Sequence, residues 1–174
     1  MWNLIAKLAA KPAVAGWLIR RALKTPYRHI AKGGDVYMER FWLFNPYPFE
    51  KVEGLRHWAE WLPSMRIHWI RRPDQDRHMH SHPWDCRTII LRGAYTEKRL
   101  VAYSLPEYVE MTTQITRGPG DTATLDIKDY HSIETISVGG VWTLFITWKY
   151  QGTWGFLVNG KKVPYKEYLP KEEQ

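Results

Sequence analysis

Short strand-like segments separated by turn residues fill the chain from residue 35 onward, and this pattern restricts the fold more than any other feature. Turn signals recur at Asn45-Pro46, Arg92-Gly93, residues 117–120 and Gly139-Gly140. The segments between them predict strands at residues 36–44, 65–70, 86–91, 94–100, 108–116, 122–125, 131–138 and 141–150. One short helix is predicted, at residues 50–61. Short strands at regular spacing are typical of a sandwich or barrel, so we expect an all-β fold rather than an α/β fold.

The composition is that of a soluble globular protein. Apolar residues make up 44% and charged residues 25% of the 174 residues, which allows a packed core and excludes disordered, collagen-like and coiled-coil chains. Because Cys86 is the only cysteine, no internal disulfide can form. Ten tryptophans favour a β-rich fold with large amphipathic side chains. At this length we expect one domain, residues 35–174, with an appended leader segment, residues 1–34.

The net positive charge comes entirely from the leader segment. It holds seven basic residues and no acidic residue, the basic ones being Lys7, Lys11, Arg20, Arg21, Lys24, Arg28 and Lys32. The remaining residues hold 18 basic and all 18 acidic side chains, so the formal charge of +7 belongs to the leader segment. An electrically balanced body argues against a broad nucleic-acid-binding face on that part of the chain.

The leader segment is predicted to be helical over residues 2–24, with Pro12 dividing two helices or starting the second. Its longest uncharged apolar run, residues 12–19, is too short to span a bilayer, and Lys7 interrupts what would be the hydrophobic region of a signal peptide. Three interpretations stay open. In the first, an apolar stripe of the leader segment packs on the body or on a second subunit. In the second, the leader segment attaches to an anionic membrane surface. In the third, it contacts nucleic acid or a protein partner.

Histidines form the pattern that carries most information about function. His78, His80 and His82 lie in one short run, and His131 follows about fifty residues later. Because side chains at positions i and i+2 of a strand share a face, His80 and His82 can both point into a barrel interior. Imidazoles that converge in a water-poor interior need polar partners, and a metal ion is the commonest one.

Two motifs of the chain resemble those of the cupin superfamily. The first family motif has the form G-x5-H-x-H-x3,4-E-x6-G, and here His80-Ser-His82-Pro83 precedes a strand that ends at Gly93, a spacing one residue shorter. The second has the form G-x5-P-x-G-x2-H-x3-N, and Gly120 and His131 reproduce its spacing, with departures at Asp126, Lys128 and Thr135. The resemblance covers residues 65–150 and implies a cupin double-stranded β-helix, which is a jelly-roll barrel.

A narrower resemblance is to small bacterial and phage cupin-like proteins that have no defined biochemical role. It rests on the run from Arg77 to Asp85, which contains His-Pro-Trp, and on residues 89–97, 141–147 and 153–156. The resemblance implies a divalent transition metal, Fe(II), Mn, Ni or Zn, bound by three histidines, His80, His82 and His131. Other residues expected in the pocket are His78, Trp84 and Cys86.

The fourth metal ligand is left open by the sequence. Metal-binding cupins usually add a glutamate, whose place falls on Cys86 when counted back from Gly93 and near Asp85 when counted forward from His80. A carboxylate from Asp85 would suit Fe(II), Mn or Ni, and without it the three histidines alone would bind the metal. His78 and His80 with Asp85 fit a second register of the same motif. Asp85 as a turn cap and Cys86 as a small buried residue are the structural alternatives.

Two functions from different classes follow from this pattern. The first is a metal-dependent enzyme, dioxygenase-like or isomerase-like, that acts on a small molecule at the three-histidine site; an anionic substrate would be held by whichever of Arg66, Arg87 and Arg99 points inward. The second is a non-catalytic module that binds a small ligand or a structural metal. No histidine begins an H-x-D or H-x-E motif, which argues against an Fe(II)/2-oxoglutarate oxygenase. We expect a cytoplasmic protein, with a homodimer formed through edge strands or the leader segment.

Overall fold

Antiparallel strands make up most of the structure. A computed structural model of the chain describes residues 1–32, 34–46, 61–104 and 106–169. The strands are β1 (Pro26–Lys32), β2 (Asp35–Phe44), β3 (Ser64–Ile70), β4 (Trp84–Arg92), β5 (Tyr95–Ser104), β6 (Val109–Arg117), β7 (Thr122–Leu125), β8 (His131–Ile136), β9 (Val141–Tyr150), β10 (Gly155–Val158) and β11 (Lys161–Pro164). The helices are α1 (Trp2–Ala9), α2 (Pro12–Ala22) and the four-residue α3 (Tyr165–Tyr168). The all-β prediction is confirmed.

Two sheets pack against each other. The larger has the strand order β1-β2-β3-β9-β4-β7, the smaller has the order β6-β5-β8, and β10 pairs with β11 in a hairpin. A buried apolar cluster joins the sheets, with Ile70, Ile90 and Val141 from the larger one against Tyr95 and Ile133 from the smaller one. This arrangement leaves a space between the sheets in which inward-facing side chains meet.

All eight predicted strands are present, and β7 and β9 have the predicted bounds. Strand β1 and the β10–β11 hairpin are not predicted, because β1 is rich in polar side chains and the hairpin strands have only four residues each. The predicted helix at residues 50–61 lies outside the described residues except for Trp61, which is in a turn.

Both faces of the larger sheet are covered, so side chains on both sides of its central strands are buried. Residues of the outer face, such as Ile67, Ile89 and Leu144, pack against the two leader helices. The helices contribute small or β-branched side chains to this contact, namely Ala6, Ala9, Ala15, Ile19 and Ala22. The residues next to Ile67 on β3, Arg66 and His68, face the space between the sheets instead. None of the described helices is long and apolar enough to cross a membrane.

The turn between β8 and β9 requires glycine at two successive positions. Gly139 and Gly140 have φ angles of +85° and +82°, in the left-handed region. At Gly140 a Cβ atom would also lie 2.6 Å from the carbonyl oxygen of Ile70, whereas at Gly139 it would meet no atom within 4 Å. The chain therefore passes close to the end of β3 as it enters β9.

Candidate metal centre

Backbone pairing brings the histidines of two distant segments together. His80 forms isolated bridges with His131, the first residue of β8, and with Phe156 in β10. The His80 amide donates to the His131 carbonyl at 2.9 Å, and the His131 amide donates back to the His80 carbonyl at 3.0 Å. His82 lies two residues further along, outside the described strands, and its ring centre is 5.2 Å from that of His80. The main chain thus fixes the positions of His80 and His131.

The three imidazole rings converge on one point. Each of His80, His82 and His131 has a ring nitrogen, and these nitrogens all lie within 4.8 Å of one another. The closest pair, Nε2 of His82 and Nε2 of His131, is 2.9 Å apart. Two nitrogens bound to one ion at ~2.1 Å and at right angles are separated by ~3 Å, so this pair is already at the spacing of neighbouring metal ligands.

Glu97 binds the ring of His131 on the side away from the other two histidines. It is not among the residues that the sequence predicts for the site. His131 Nδ1 donates to Glu97 Oε1 at 2.9 Å, which leaves Nε2 facing the other two histidines. The carboxylate is 0% exposed and also pairs with Arg99 Nε at 3.0 Å and Arg117 Nε at 3.1 Å. Burial alone would raise the pKa of Glu97, but the hydrogen bond from His131 and the two guanidinium groups outweigh it and lower the pKa to about 2.

A signal for Glu97 is present in the sequence. Tyr95, Glu97 and Arg99 alternate along a predicted strand, so all three share a face, and a glutamate on the same face as a buried tyrosine needs charged partners. The spacing of the family motif indicates Cys86 instead, because a motif counts residues along the chain and gives no information about pairing between strands.

Burial keeps the other two imidazoles neutral near pH 7. Burial is the main cause that lowers the pKa of His80 to about 4, and the nearby His131 is the second. Asp74 acts in the opposite direction, with its Oδ2 3.8 Å from His80 Nδ1. Burial, followed by His131 and His80, also lowers the pKa of His82 well below its usual value. Neutral imidazoles carry the lone pairs that metal binding requires.

Asp85 does not join the histidine cluster, contrary to the expectation of a carboxylate ligand. Its Oδ1 accepts a hydrogen bond from the Ile127 amide at 3.1 Å, and its Oδ2 accepts one from Gln151 Nε2 at 2.6 Å. Asp85 therefore ties the start of β4 to two loops. Within the described parts of the chain, no fourth His, Cys, Asp or Glu belongs to the cluster.

Cys86 and His78 are also outside the cluster and outside the cavity lining, in contrast to their expected place in the pocket. Cys86 packs against Leu125 and Phe145, and burial raises the pKa of its thiol to about 12. His78 Nδ1 is hydrogen-bonded to the Tyr168 hydroxyl at 2.9 Å, next to the C-terminal helix α3. Cys86 lies behind the cavity wall, because Leu125 and Phe145, on which it packs, both line the cavity. The His78 side chain is bound by Tyr168 instead of reaching the cluster.

A cavity of about 250 Å³ opens beside the three histidines. Its walls are rich in aromatic side chains, contributed by Tyr37, Trp84, Tyr95, Phe145, Trp154 and Phe156. Trp84 thus lines the pocket, as the sequence predicts. The position of the cavity, between the inner faces of the two sheets, gives the histidine cluster an apolar surrounding on most sides.

Arg66 and His68 add two buried polar groups to the same cavity. The Arg66 guanidinium is stacked over Trp84 at 4.5 Å from the ring centre and donates to Thr147 Oγ1 at 3.1 Å. The His68 ring is stacked on Phe145, with 4.9 Å between ring centres. Burial, and then the charge of Arg66, lowers the pKa of His68 well below its usual value. Sequence reasoning assigned no chemistry to His68, because it has no histidine neighbour along the chain.

Of the three arginines considered for an anionic substrate, only Arg66 lines the cavity. The Arg87 guanidinium lies 4.6 Å from the centre of the Trp2 ring, beneath the leader helices. Arg99 pairs with Glu97. Strand alternation explains Arg87, which shares the outer face of β4 with Ile89, whereas Arg99 lies on the inward face of β5 and is bound by Glu97.

Comparison with known proteins identifies the fold. No protein-family model and no curated protein matches the sequence. A mutant of Bacillus subtilis oxalate decarboxylase is similar with a TM-score of 0.51, at 12% identity over 79% of this chain and 31% of that one. A second oxalate decarboxylase structure has a TM-score of 0.50 with the same identity and coverage.

Fe(II)-HppE with an alternative substrate has a TM-score of 0.48, at 8% identity over 73% of this chain and 57% of that one. The chain thus spans less than two thirds of the length of these proteins, and at such identities the likeness concerns the fold alone. The two packed antiparallel sheets, together with the likeness to oxalate decarboxylase, establish that this chain has the cupin jelly-roll fold.

Proposed function

We propose that the chain is a metal-dependent enzyme that acts on a small molecule in the cavity beside His80, His82 and His131. The observation that supports this most is the convergence of three imidazoles on one point next to an aromatic cavity. The Nε2 atoms of His82 and His131 are within hydrogen-bonding distance of each other, and a ring nitrogen of His80 lies within 4.8 Å of both rings' nitrogens. Three imidazoles whose nitrogens face one another in this way have the arrangement of a ligand set.

The donor set fits a divalent transition metal such as Fe(II), Mn, Ni or Zn. Imidazole nitrogen suits these ions, and the 2.9 Å between Nε2 of His82 and Nε2 of His131 fits two neighbouring ligands. When bound by three histidines, the ion supplies open coordination positions and a positive charge that polarises a bound substrate. Glu97 would keep His131 in the tautomer whose Nε2 is free, and Asp74 faces Nδ1 of His80.

The cavity walls indicate the kind of substrate. Its volume of about 250 Å³ is below the roughly 300–1,000 Å³ of sites for drug-sized ligands, so the substrate is small. The Arg66 guanidinium offers positive charge, and the buried Nε2 of His68 has no hydrogen-bond partner among the described residues. The aromatic walls exclude water and favour a substrate whose uncharged part is planar or apolar. We therefore propose a small carboxylate or similar anion with an apolar body as the substrate class.

Metal content tests the metal site. Protein purified without chelator or affinity tag is analysed for transition metals beside the variants His82→Ala and His29→Ala. The control is a histidine outside the cluster, whose Nδ1 accepts a backbone hydrogen bond from Arg40. We expect close to one metal ion per chain in the wild type and in His29→Ala, and a loss of most of it in His82→Ala. Equal metal content in wild type and His82→Ala would contradict the proposed site.

Ligand screening tests the substrate class and the catalytic role. The metal-loaded protein is mixed with small carboxylates and with their uncharged amides, and binding is followed by calorimetry and by mass spectrometry of the recovered ligand. We expect carboxylates to bind, Arg66→Met to weaken them at least tenfold, and the ligand to return chemically changed. Amides binding as well as acids would refute the substrate class. A carboxylate that binds but always returns intact would refute the enzyme and favour a binding module.

A further inference from the structure

Most large apolar side chains of the leader helices are exposed and most small ones are buried, although Ile19 is buried and Trp2 and Leu18 pack partly against the sheet. Ala6, Ala9, Ala15 and Ala22 are buried against the larger sheet. Large apolar side chains face solvent along both helices, and these are Met1, Leu4, Ile5, Leu8, Val14, Trp17 and Leu23. A helix that only covered a sheet would bury such side chains, because each gains about 1.5–3 kcal/mol when removed from water. The outer face of the helices is therefore built for contact with something apolar.

Basic side chains surround the exposed apolar ones. Trp17 is 60% exposed. Residues three and four apart on a helix are neighbours, so Val14, Arg20 and Arg21 flank Trp17, and Lys24 follows one turn later. On α1 the exposed Leu4 and Leu8 share a face in the same way. The exposed face of α1 and α2, which we call the leader face, thus combines aliphatic and indole groups with cations.

No acidic group neutralises these cations within the described residues. None of Lys7, Lys11, Arg20, Arg21 and Lys24 forms an ion pair there, and the leader segment contains no acidic residue. Beside Gly16, which is buried, nitrogen atoms of the Arg20 and Arg92 guanidinium groups both lie 3.1 Å from the position a Cβ would take, so a cation of β4 lies close to one of α2. Several like charges without counter-charges attract an anionic surface.

We propose that the leader face binds the surface of a membrane that contains anionic lipids, with α1 and α2 lying in the interfacial plane. Cations at the headgroup level and Trp, Leu and Ile at the acyl boundary are the combination that such helices use. Nucleic acid explains the positive charge but offers nothing to exposed Leu4, Ile5 and Leu8. The helices lie on the outer face of the larger sheet, opposite the cavity, so docking would leave the histidine cluster accessible.

Vesicle co-sedimentation with the full chain tests this proposal and does not depend on the metal site. Vesicles of phosphatidylcholine with about a quarter phosphatidylserine are compared with pure phosphatidylcholine, at about 0.05 M and about 0.5 M salt. The charge variant R20Q/R21Q/K24Q is matched by K128Q/K161Q/K162Q, which removes three exposed lysines of the body. The apolar variant Trp17→Ala is matched by Val101→Ala, which replaces another exposed apolar side chain, on β5.

We expect the wild type to bind the anionic vesicles at low salt and to lose most of that binding at high salt. The charge variant should bind about a hundredfold more weakly, and its matched control should bind like the wild type. Trp17→Ala should weaken binding at both salt concentrations, because the apolar contribution is not screened. Thermal unfolding checks that every variant is folded.

Three outcomes would overturn the proposal. The first is an absence of wild-type binding to anionic vesicles at low salt. The second is an equal loss in K128Q/K161Q/K162Q, which would indicate general charge attraction rather than the leader face. The third is a dimer in sedimentation equilibrium that Trp17→Ala dissociates while vesicles bind nothing, since the leader face would then cover a second copy of the chain.

Discussion

Replacing Glu97 with glutamine removes one charge from the centre of the fold and keeps the side-chain shape. The carboxylate is fully buried and contacts His131, Arg99 and Arg117. In Glu97→Gln the two guanidinium groups lose their shared counter-charge while remaining largely buried. Leaving a buried charge without its partner is among the few changes that cost several kcal/mol. We expect a large destabilisation at neutral pH that depends strongly on pH.

The size of this destabilisation follows from the pKa of Glu97. Its folded-state pKa of about 2 lies below the ordinary value of 4.5, so the ionised carboxylate stabilises the folded state at any pH above about 4.5. At about 1.36 kcal/mol per unit of pKa, this contribution is ~3 kcal/mol. It is lost as the pH falls from about 4.5 toward 2, and roughly 2 kcal/mol of it is gone at pH 3.

Urea unfolding of wild type and Glu97→Gln, followed by tryptophan fluorescence at pH 7, 5, 4 and 3, measures this effect. The free energy of unfolding of the variant should be ~3 kcal/mol lower at pH 7, and the difference should shrink to ~1 kcal/mol at pH 3. Glu134→Gln is the matched control, because Glu134 is partly exposed in its ion pair with Lys98 and should contribute less than about 1 kcal/mol. A difference between wild type and Glu97→Gln that stays constant from pH 7 to pH 3 would refute the reasoning.

Three further outcomes are expected. Glu97→Gln should bind metal about 10–100-fold more weakly at pH 7 in a competition titration, because the His131 tautomer is no longer fixed, and unchanged affinity would contradict that role. The Cys86 thiol, with its pKa of about 12, should react with Ellman's reagent at pH 8 only after unfolding in urea, and rapid reaction of the folded protein would show that the thiol is accessible. In urea unfolding, Gly139→Ala should lower the free energy of unfolding by ~1 kcal/mol because of its positive φ. Gly140→Ala should lower it by ~3 kcal/mol, because its Cβ would also meet the Ile70 carbonyl. Equal losses of stability in the two variants would mean that the backbone shifts to relieve the contact.

Local patterns in the sequence were sufficient for most of the fold. Strands β7 and β9 were predicted with their observed bounds, because alternation and flanking turn residues are both read over a few neighbouring positions. Strand β1 was missed for the converse reason. Its polar side chains show little alternation, and it is a strand because β2 pairs with it. Strand formation there depends on tertiary pairing rather than on propensity.

The candidate site could be predicted only in part. His80 and His82 were recognisable from their i, i+2 spacing, and His131 because the cupin resemblance supplied the second segment. His68 has no signal in the sequence, and Glu97 has only the alternation of Tyr95, Glu97 and Arg99, since each reaches the site across paired strands from a segment outside the histidine motifs. Asp85 was assigned from its distance along the chain, whereas its carboxylate is held by hydrogen bonds to Ile127 and Gln151. Sequence spacing thus gave the ligand candidates but not the groups that surround them.

The backbone bridge at His80 makes the C-terminal hairpin part of the histidine site. The residues on either side of His80 are hydrogen-bonded to that hairpin, with the Ser81 amide donating to the Gly155 carbonyl and the Leu157 amide donating to the Met79 carbonyl, both at 2.9 Å. Local opening of the hairpin would therefore release one side of the segment that carries two of the three imidazoles. The geometry of the cluster is in this way coupled to the folding of a segment more than seventy residues away along the chain. Occupancy of the cluster should accordingly slow amide exchange throughout β10, although β10 contributes none of the three histidines.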